Sequence, residues 1–279
     1  MIRKTLILWG GGHLVQAVKK LSSDFEFVDQ LVLVSRDPSA HALAERPEIV
    51  MAKSFGELGD RLLEGAVVLA TRPFSSWLEE LGRERELGHL EKIKKLLMIS
   101  STGVYVDSPA VAENPTHGDV EGITVDEDSA VKQDHPYIAA ETEISEQLPT
   151  LILRCAGLYD ELKGPHCYYL RKKAMPGPTG AHLNLIHYDD LARVVTEVLK
   201  REFQENSKLA PIYNISDGTA LTRSQIHQHL KSWGGEWAEI AAPIDEQSSN
   251  TFNKIVKTKI WSELGLEPKY KSFLEFNLS

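Results

Sequence analysis

The fold of this chain is decided by one stretch, Lys4-Thr5-Leu6-Ile7-Leu8-Trp9-Gly10-Gly11-Gly12-His13-Leu14-Val15-Gln16-Ala17-Val18. Its first half is a short aliphatic run, which is typical of a strand buried on both faces. An amphipathic pattern with helical spacing begins at Leu14, and three glycines separate it from the aliphatic run. The stretch therefore predicts a strand, a tight turn and a helix in succession.

The glycine spacing matches the dinucleotide-binding fingerprint Gly-x-Gly-x-x-Gly at two of its three positions. Gly10 would allow the tight turn, and Gly12 would let a pyrophosphate approach the backbone. His13 and Leu14 would present backbone N–H groups to that pyrophosphate at the helix N-terminus. Val15 stands where the third glycine, which permits close helix packing, would be. We predict a pyrophosphate site here, although similar turns also occur in proteins that bind nothing.

The composition is that of an ordinary globular protein, with 42% of its 279 residues hydrophobic and 25% charged. The formal net charge of -9 argues against a nucleic-acid partner, because a phosphate backbone is bound by clustered Lys and Arg. No apolar run reaches the ~18 residues of a membrane span. The first strand leaves no room for a signal peptide, so we expect a cytoplasmic protein without a membrane partner. Cys155 and Cys167 match no zinc pattern, and we predict no metal site.

Strands and helices alternate along the sequence. Aliphatic runs predict further buried strands over 30–34 and 66–70, from Leu96 onward, and over 150–155. Amphipathic patterns predict helices over 75–95 and about 136–147, and an acidic, Gly- and Pro-containing segment predicts a long surface loop over 106–135. The alternation indicates an α/β fold, a Rossmann doubly wound parallel sheet.

Two strand ends carry candidate cofactor contacts. The residue that closes the second strand of a Rossmann unit lies beside the adenosine ribose, where a small polar residue followed by Arg suits the 2′-phosphate of NADP. Ser35 and Arg36 therefore favour NADP, although Asp37 keeps NAD possible and Arg36 could be a solvated loop residue. Thr71 and Arg72 follow another buried strand, at the edge where such sheets bind ligands.

Five segments in fixed order carry a family resemblance. They are Ser100-Ser101-Thr102-Gly103-Val104-Tyr105, Leu153-Arg154-Cys155-Ala156-Gly157-Leu158-Tyr159, Asn184-Leu185-Ile186-His187-Tyr188-Asp189-Asp190-Leu191-Ala192, Tyr213-Asn214-Ile215-Ser216-Asp217-Gly218, and Asn253-Lys254 with Glu263-Leu264-Gly265-Leu266. Together they resemble the extended and atypical short-chain dehydrogenase/reductases, in particular the bacterial NAD-dependent epimerase/dehydratase-like proteins. Each segment is weak alone, and the ordered set is much more specific.

The resemblance implies a Rossmann domain over residues 1–155 that holds NAD(P). It assigns residues 156–279 to the remainder of the sheet and a small discontinuous C-terminal substrate lobe. It also implies hydride chemistry at C4 of the nicotinamide, a small-molecule substrate such as a nucleotide-sugar or a small carbonyl compound, and a homodimer formed through helices that flank the sheet.

The resemblance places Ser101 where family members hold the substrate oxygen, and Tyr137 is the candidate acid/base. Family members follow that Tyr by a Lys four residues later, whose charge lowers the pKa of the phenol. This chain has Glu141 there, and a carboxylate acts in the opposite direction. In an alternative alignment Ala140 and Glu141 match a helical Ala-Glu pair of atypical members, and Tyr137 has no catalytic counterpart. A catalytically silent NADP-binding sensor or regulatory protein is therefore the alternative to an enzyme.

Overall fold

The computed structural model of the chain describes residues 4–10, 12–20, 26–35, 49–71, 77–106, 122–204, 207–243 and 253–278. Its helices and strands are, in chain order, β1 (Thr5–Trp9), α1 (His13–Lys20), β2 (Gln30–Val34), β3 (Val50–Ala52), α2 (Asp60–Leu63), β4 (Ala66–Ala70), α3 (Trp77–Glu86), β5 (Ile93–Ser101), β6 (Ile123–Val125), α4 (Pro136–Gln147), β7 (Thr150–Cys155), β8 (Gly157–Tyr159), α5 (Pro165–Lys172), β9 (His182–His187), α6 (Tyr188–Glu202), β10 (Ile212–Ile215), β11 (Ala220–Thr222), α7 (Arg223–Ser232), β12 (Lys254–Val256) and α8 (Ile260–Leu264).

The chain divides into two units. The first comprises Met1–Val104, Lys132–Arg154 and Leu191–Tyr213, and the second comprises Tyr105–Val131, Cys155–Asp190 and Asn214–Ser279. None of the helices in the described ranges combines the length and apolar character that a membrane crossing needs.

The central sheet has seven strands among the described residues, in the order β10-β7-β5-β4-β1-β2-β3. The pairs on both sides of β1 and β4 are parallel, as the alternation of strands and helices predicts. The predicted α/β Rossmann class is therefore confirmed. The chain builds one side of the sheet from β1 to β3 and then returns to place β4 against the other side of β1. This reversal makes the carboxyl ends of β1 and β4 the expected ligand-binding edge.

The central strands are aliphatic because helices cover both of their faces. Every residue of β1 and of β4 is buried. Trp9 extends this core at the carboxyl end of β1, where its ring meets that of Phe55 edge-on at 4.9 Å between centroids. Apolar burial thus fixes the strand from which the glycine turn starts.

The helix predicted over 75–95 is too long at its C-terminal end. The structure ends α3 at Glu86, and Gly88 follows with a φ of +70°, a left-handed conformation that favours glycine. Leu90 and Ile93 are buried as the helical stripe predicts, but Ile93 already belongs to β5. Helical spacing of apolar residues therefore does not prove that a helix continues, because a glycine can end the helix and a strand can bury the next apolar residue.

The second unit contains two small sheets among its described residues, a three-stranded one in the order β11-β9-β8 and a parallel pair of β12 and β6. The pair corrects the loop predicted over 106–135, because β6 lies inside that segment. An isolated antiparallel bridge joins Tyr105 to Val131 across the same segment. Residues 107–121, about the first half of the predicted loop, lie outside the described residues.

Candidate cofactor-binding site

The turn after β1 has the geometry that its first glycine predicts. Gly10 is buried and adopts a φ of +121°, which residues with a Cβ rarely adopt. Its N–H donates to the Val34 carbonyl at 2.9 Å, which ties the turn to the end of β2. α1 then begins at His13, whose side chain is half-buried. The order strand, turn and helix is the one that the opening stretch predicts.

Gly12, the second glycine of the fingerprint, faces open space. A Cβ added to Gly12 would meet no atom within 4 Å. Steric crowding by the described residues is therefore not the reason for a glycine at this position. Leu14 is 5% exposed and Val15 is fully buried, so both side chains belong to the core. Leu14 can therefore contribute only its backbone to a ligand. Val15 fills the position of the missing third glycine and packs there as a core residue.

Two further predicted residues follow the neighbouring strands. The sheet register pairs Trp9 with both Val34 and Ala70, so the residues after these three positions lie at one edge. Ser35 is half-buried, and its N–H donates to a β3 carbonyl at 3.0 Å. Thr71 donates its N–H to the Trp9 carbonyl at 3.0 Å. Gly10, Ser35 and Thr71 are thus brought together at the edge of the first unit.

The two arginines predicted beside these residues, Arg36 and Arg72, lie outside the described residues. Their roles at the adenosine and ribose ends of a cofactor stay predictions.

The candidate catalytic serine closes β5. Ser101 is half-buried, and its Oγ accepts the N–H of Gly103 at 3.0 Å, which organises a short turn over Thr102–Val104. This bond uses the oxygen as an acceptor and leaves the hydroxyl proton available for donation. The serine is therefore suited to hold a carbonyl oxygen.

The candidate acid/base lies in the first turn of α4. The Tyr137 N–H donates to Nδ1 of His135, the N-cap residue, at 3.2 Å, and the two rings lie 5.5 Å apart. Tyr137 is half-buried. Ser101 and Tyr137 make no hydrogen bond with each other in the described part of the chain. The structure places both side chains in the first unit without showing them acting as a pair.

The residue in the place of the family lysine has a clear structural partner. Glu141 is 5% exposed and accepts hydrogen bonds from the Arg154 guanidinium. Nη2 of Arg154 lies 2.6 Å from Oε2, and Nε lies 3.2 Å from each of the two carboxylate oxygens. The Ser100 hydroxyl donates to the same carboxylate at 2.5 Å. Arg154 is itself only 4% exposed. This network joins β5, α4 and β7 through one buried carboxylate.

The sequence alone does not reveal this network, although it contains one signal of it. Arg154 stands in the apolar strand Leu151-Ile152-Leu153-Arg154-Cys155, and a buried guanidinium requires an anionic partner. The sequence does not say which acid supplies it. The pairing anchors α4 to β7 through the Glu141 carboxylate.

The second unit also buries polar atoms that have no partner among the described residues. They include Oδ2 of Asp217, Oη of Tyr159 and Nε2 of His187. Burial raises the pKa of Asp217 to about 7, and nearby Asp190 acts in the same direction, whereas a hydrogen bond from the Thr219 N–H opposes both. Burial is also the main cause that raises the pKa of Tyr159 and lowers that of His187.

The chain shares its fold with solved structures that include a UDP-N-acetylglucosamine 4-epimerase and a putative NAD-dependent epimerase/dehydratase, and this is the fold that the sequence resemblance predicts.

Three solved structures represent this likeness. A functionally unknown conserved protein from Silicibacter pomeroyi has a TM-score of 0.69 at 20% identity, with 98% of this chain and 97% of that chain covered. UDP-N-acetylglucosamine 4-epimerase from Methanobrevibacter ruminantium, in complex with UDP-N-acetylmuramic acid, gives 0.67 at 14% identity, over 99% and 96%. A human epimerase family protein with NADPH gives 0.63 at 17% identity, over 96% of each chain. The TM-scores and coverage establish a shared fold, and at these identities the likeness extends to the fold alone.

Neither a protein-family model nor a curated protein sequence matches the chain.

The open space at Gly12 predicts a separation between stability and binding. Gly12→Ala should leave the free energy of unfolding unchanged, because the new methyl group meets no atom, but should weaken NADPH binding at least about tenfold by blocking the approach of the pyrophosphate. Gly10→Ala should instead destabilise the protein by about 1–3 kcal/mol, because of its φ. Urea unfolding and fluorescence titration with NADPH measure both effects.

Gly82→Ala, on α3, is the matched control, since its Cβ would also meet no atom. It should retain cofactor affinity and be at least as stable as wild type, because alanine is favoured over glycine inside a helix. Tight NADPH binding by Gly12→Ala would show that the turn does not hold the pyrophosphate.

The raised pKa of Asp217 predicts how stability depends on pH. Between its ordinary value of 3.8 and about 7, the folded protein keeps a proton that the unfolded chain has released, so the free energy of unfolding falls as pH rises. Asp217→Asn removes this titration. From pH 5 to pH 8, the free energy of unfolding of wild type should fall by about 2–3 kcal/mol more than that of the variant, as measured by urea unfolding. Asp134→Asn, at an exposed position, is the control. If the stability difference between Asp217→Asn and wild type is the same at pH 5 and pH 8, the raised pKa of Asp217 is contradicted.

Proposed function

We propose that the chain is an NAD(P)-dependent oxidoreductase of the epimerase/dehydratase type, with a preference for NADP. One observation carries the proposal: the turn between β1 and α1 combines a left-handed Gly10 with open space at Gly12, at the carboxyl edge of a doubly wound sheet. A phosphate group could approach Gly12 without meeting a side chain of the described residues, and the helix N-terminus behind it favours negative charge.

The residues at this edge fit a dinucleotide. Gly10, Gly12, and the backbone of His13 and Leu14 would bind the pyrophosphate. Ser35 with Arg36 would contact the adenosine end, and Thr71 with Arg72 would contact the ribose region. When bound, the cofactor supplies hydride exchange at C4 of its nicotinamide ring. Ser101 would donate a hydrogen bond to the substrate oxygen, and Tyr137 would hold or release a proton at that oxygen.

The proposed substrate is a nucleotide-sugar or another small polar carbonyl compound. The epimerase from Methanobrevibacter ruminantium, solved with a UDP-sugar derivative, supports this choice through its shared fold. We further propose that residues 1–155 bind the cofactor and residues 156–279 complete the sheet and bind the substrate, and that the protein forms a homodimer.

One observation favours a second candidate, a catalytically silent protein that binds NADP as a sensor or regulator. Glu141 occupies the position of the lysine that would lower the pKa of Tyr137, and Arg154 holds its carboxylate. An unassisted phenol has a pKa near 10 and is a poor base at neutral pH. Cofactor binding would persist in such a protein, whereas substrate turnover would be absent.

Cofactor binding and turnover distinguish these candidates. The enzyme should bind NADPH more tightly than NADH, and it should oxidise NADPH with a carbonyl compound or interconvert a nucleotide-sugar in the presence of NADP. Fluorescence titration, absorbance of NADPH and NMR of the sugar products measure these three properties. Ser101→Ala should lower kcat by about tenfold or more while preserving NADPH affinity, because the serine contacts substrate.

Arg36→Ala tests the cofactor preference within the same titration, with Arg61→Ala, an exposed position on α2, as a charge-matched control. Only Arg36→Ala should weaken NADPH binding. Tight NADPH binding without turnover of any substrate would support the silent sensor and overturn the enzyme. Failure to bind either nucleotide would overturn both candidates.

A further inference from the structure

A buried arginine in the second unit has no counter-charge among the residues that the structure describes. Arg223 is the first residue of α7 and is 8% exposed. Its Nη1 donates to the Tyr169 hydroxyl at 3.1 Å, which is a neutral partner. Nε is buried without a hydrogen-bond partner, and no carboxylate among the described residues forms an ion pair with the guanidinium. A buried cation in this condition is unfavourable unless an anion compensates it.

The unused donors lie on one edge of the guanidinium. Nη1 is engaged by Tyr169, so Nε and Nη2 remain, and these two adjacent nitrogens can donate a pair of parallel hydrogen bonds to a carboxylate or phosphate. Nη2 also makes no hydrogen bond to a described residue, but it is not sealed from solvent as Nε is. A ligand could therefore reach Nη2 from solvent, and Nε lies beside it on the same edge.

Gly177 covers one face of the same guanidinium. A Cβ at Gly177 would lie 3.0 Å from Nε, 3.2 Å from Cζ and 3.4 Å from Nη2 of Arg223. These similar distances place the added Cβ above the plane of the guanidinium. An atom in that plane, beside the Nε–Nη2 edge, would be clearly farther from Cζ than from the two nitrogens. Gly177 has a φ of +100°, so this close approach also depends on glycine. The backbone thus fixes the plane of the guanidinium and leaves the Nε–Nη2 edge uncovered by this contact.

The other buried arginine shows how such an edge is satisfied in this chain. Arg154 donates from Nε and Nη2 to the carboxylate of Glu141. Arg223 presents the same pair of nitrogens and is similarly buried, but no described residue supplies an acid to it. Within the described part of the chain, the two arginines therefore differ in whether an anion accepts from this pair of nitrogens.

We propose that the Nε–Nη2 edge of Arg223, oriented by the Tyr169 hydroxyl and the Gly177 backbone, is a binding site for an oxyanion, a carboxylate or phosphate group of a small ligand. This site lies within the second unit and does not depend on cofactor binding in the first. The anion would supply the missing counter-charge and accept two hydrogen bonds from a preoriented donor pair.

Thermal unfolding and calorimetric titration in Tris chloride test the proposal, with inorganic phosphate and malonate as probes at matched ionic strength. At least one probe should raise the Tm of wild-type protein and bind measurably. Arg223→Met removes the charge but keeps the length of the side chain. It should fold with a Tm no lower than that of wild type without the probe, and it should lose the response. Arg223→Lys, which lacks the paired donors, should bind at least about tenfold more weakly.

Arg171→Met, an exposed position on α5, is the charge-matched control and should respond as wild type does. A response to phosphate alone or to malonate alone assigns the oxyanion class, and either result supports the site. The proposal is overturned if wild type responds to neither probe beyond the chloride control, or if both Arg223 variants respond as wild type does. A Tm of Arg223→Met well below that of wild type without the probe would overturn it as well, because the arginine would then be a structural residue.

Discussion

The buried ion pair between Arg154 and Glu141 is the interaction on which the candidate site depends. It places one positive and one negative side chain in the core of the first unit and adds the Ser100 hydroxyl to the same carboxylate. Breaking such a pair leaves an uncompensated buried charge, which is strongly unfavourable. Because the partners come from β5, α4 and β7, the pair fixes the helix that carries Tyr137 relative to the strand that ends at Ser101.

The same pair limits what the site can do. A Tyr that works as an acid/base at neutral pH needs a nearby cation, and position 141 supplies an anion that is already bound by Arg154. The proposed cofactor site does not include this position, since the glycine turn, Ser35 and Thr71 lie at the ends of β1, β2 and β4. We therefore expect the first unit to be better suited to holding a dinucleotide than to activating a phenol.

Local signals explain which parts could be predicted from the sequence. Gly10 is needed for a turn whose strand and helix are both visible nearby, and the strands beside it are continuous aliphatic runs. Long-range pairings explain the rest. The strand Ile123–Val125 forms by pairing with Lys254–Val256. Because that partner lies far along the chain, no local sequence pattern predicts the strand. Glu141 and Arg154 likewise meet only after the sheet has assembled.

Unfolding of Glu141→Lys by urea tests the central claim most directly, because this single change places a lysine where the resembled family has one and reverses the charge beside Arg154. We predict a loss of about 3–5 kcal/mol in the free energy of unfolding, since two cations would then be buried together. Glu197→Lys, in a partly exposed pair with Arg201, should have a much smaller effect. A Glu141→Lys protein as stable as wild type would contradict the account.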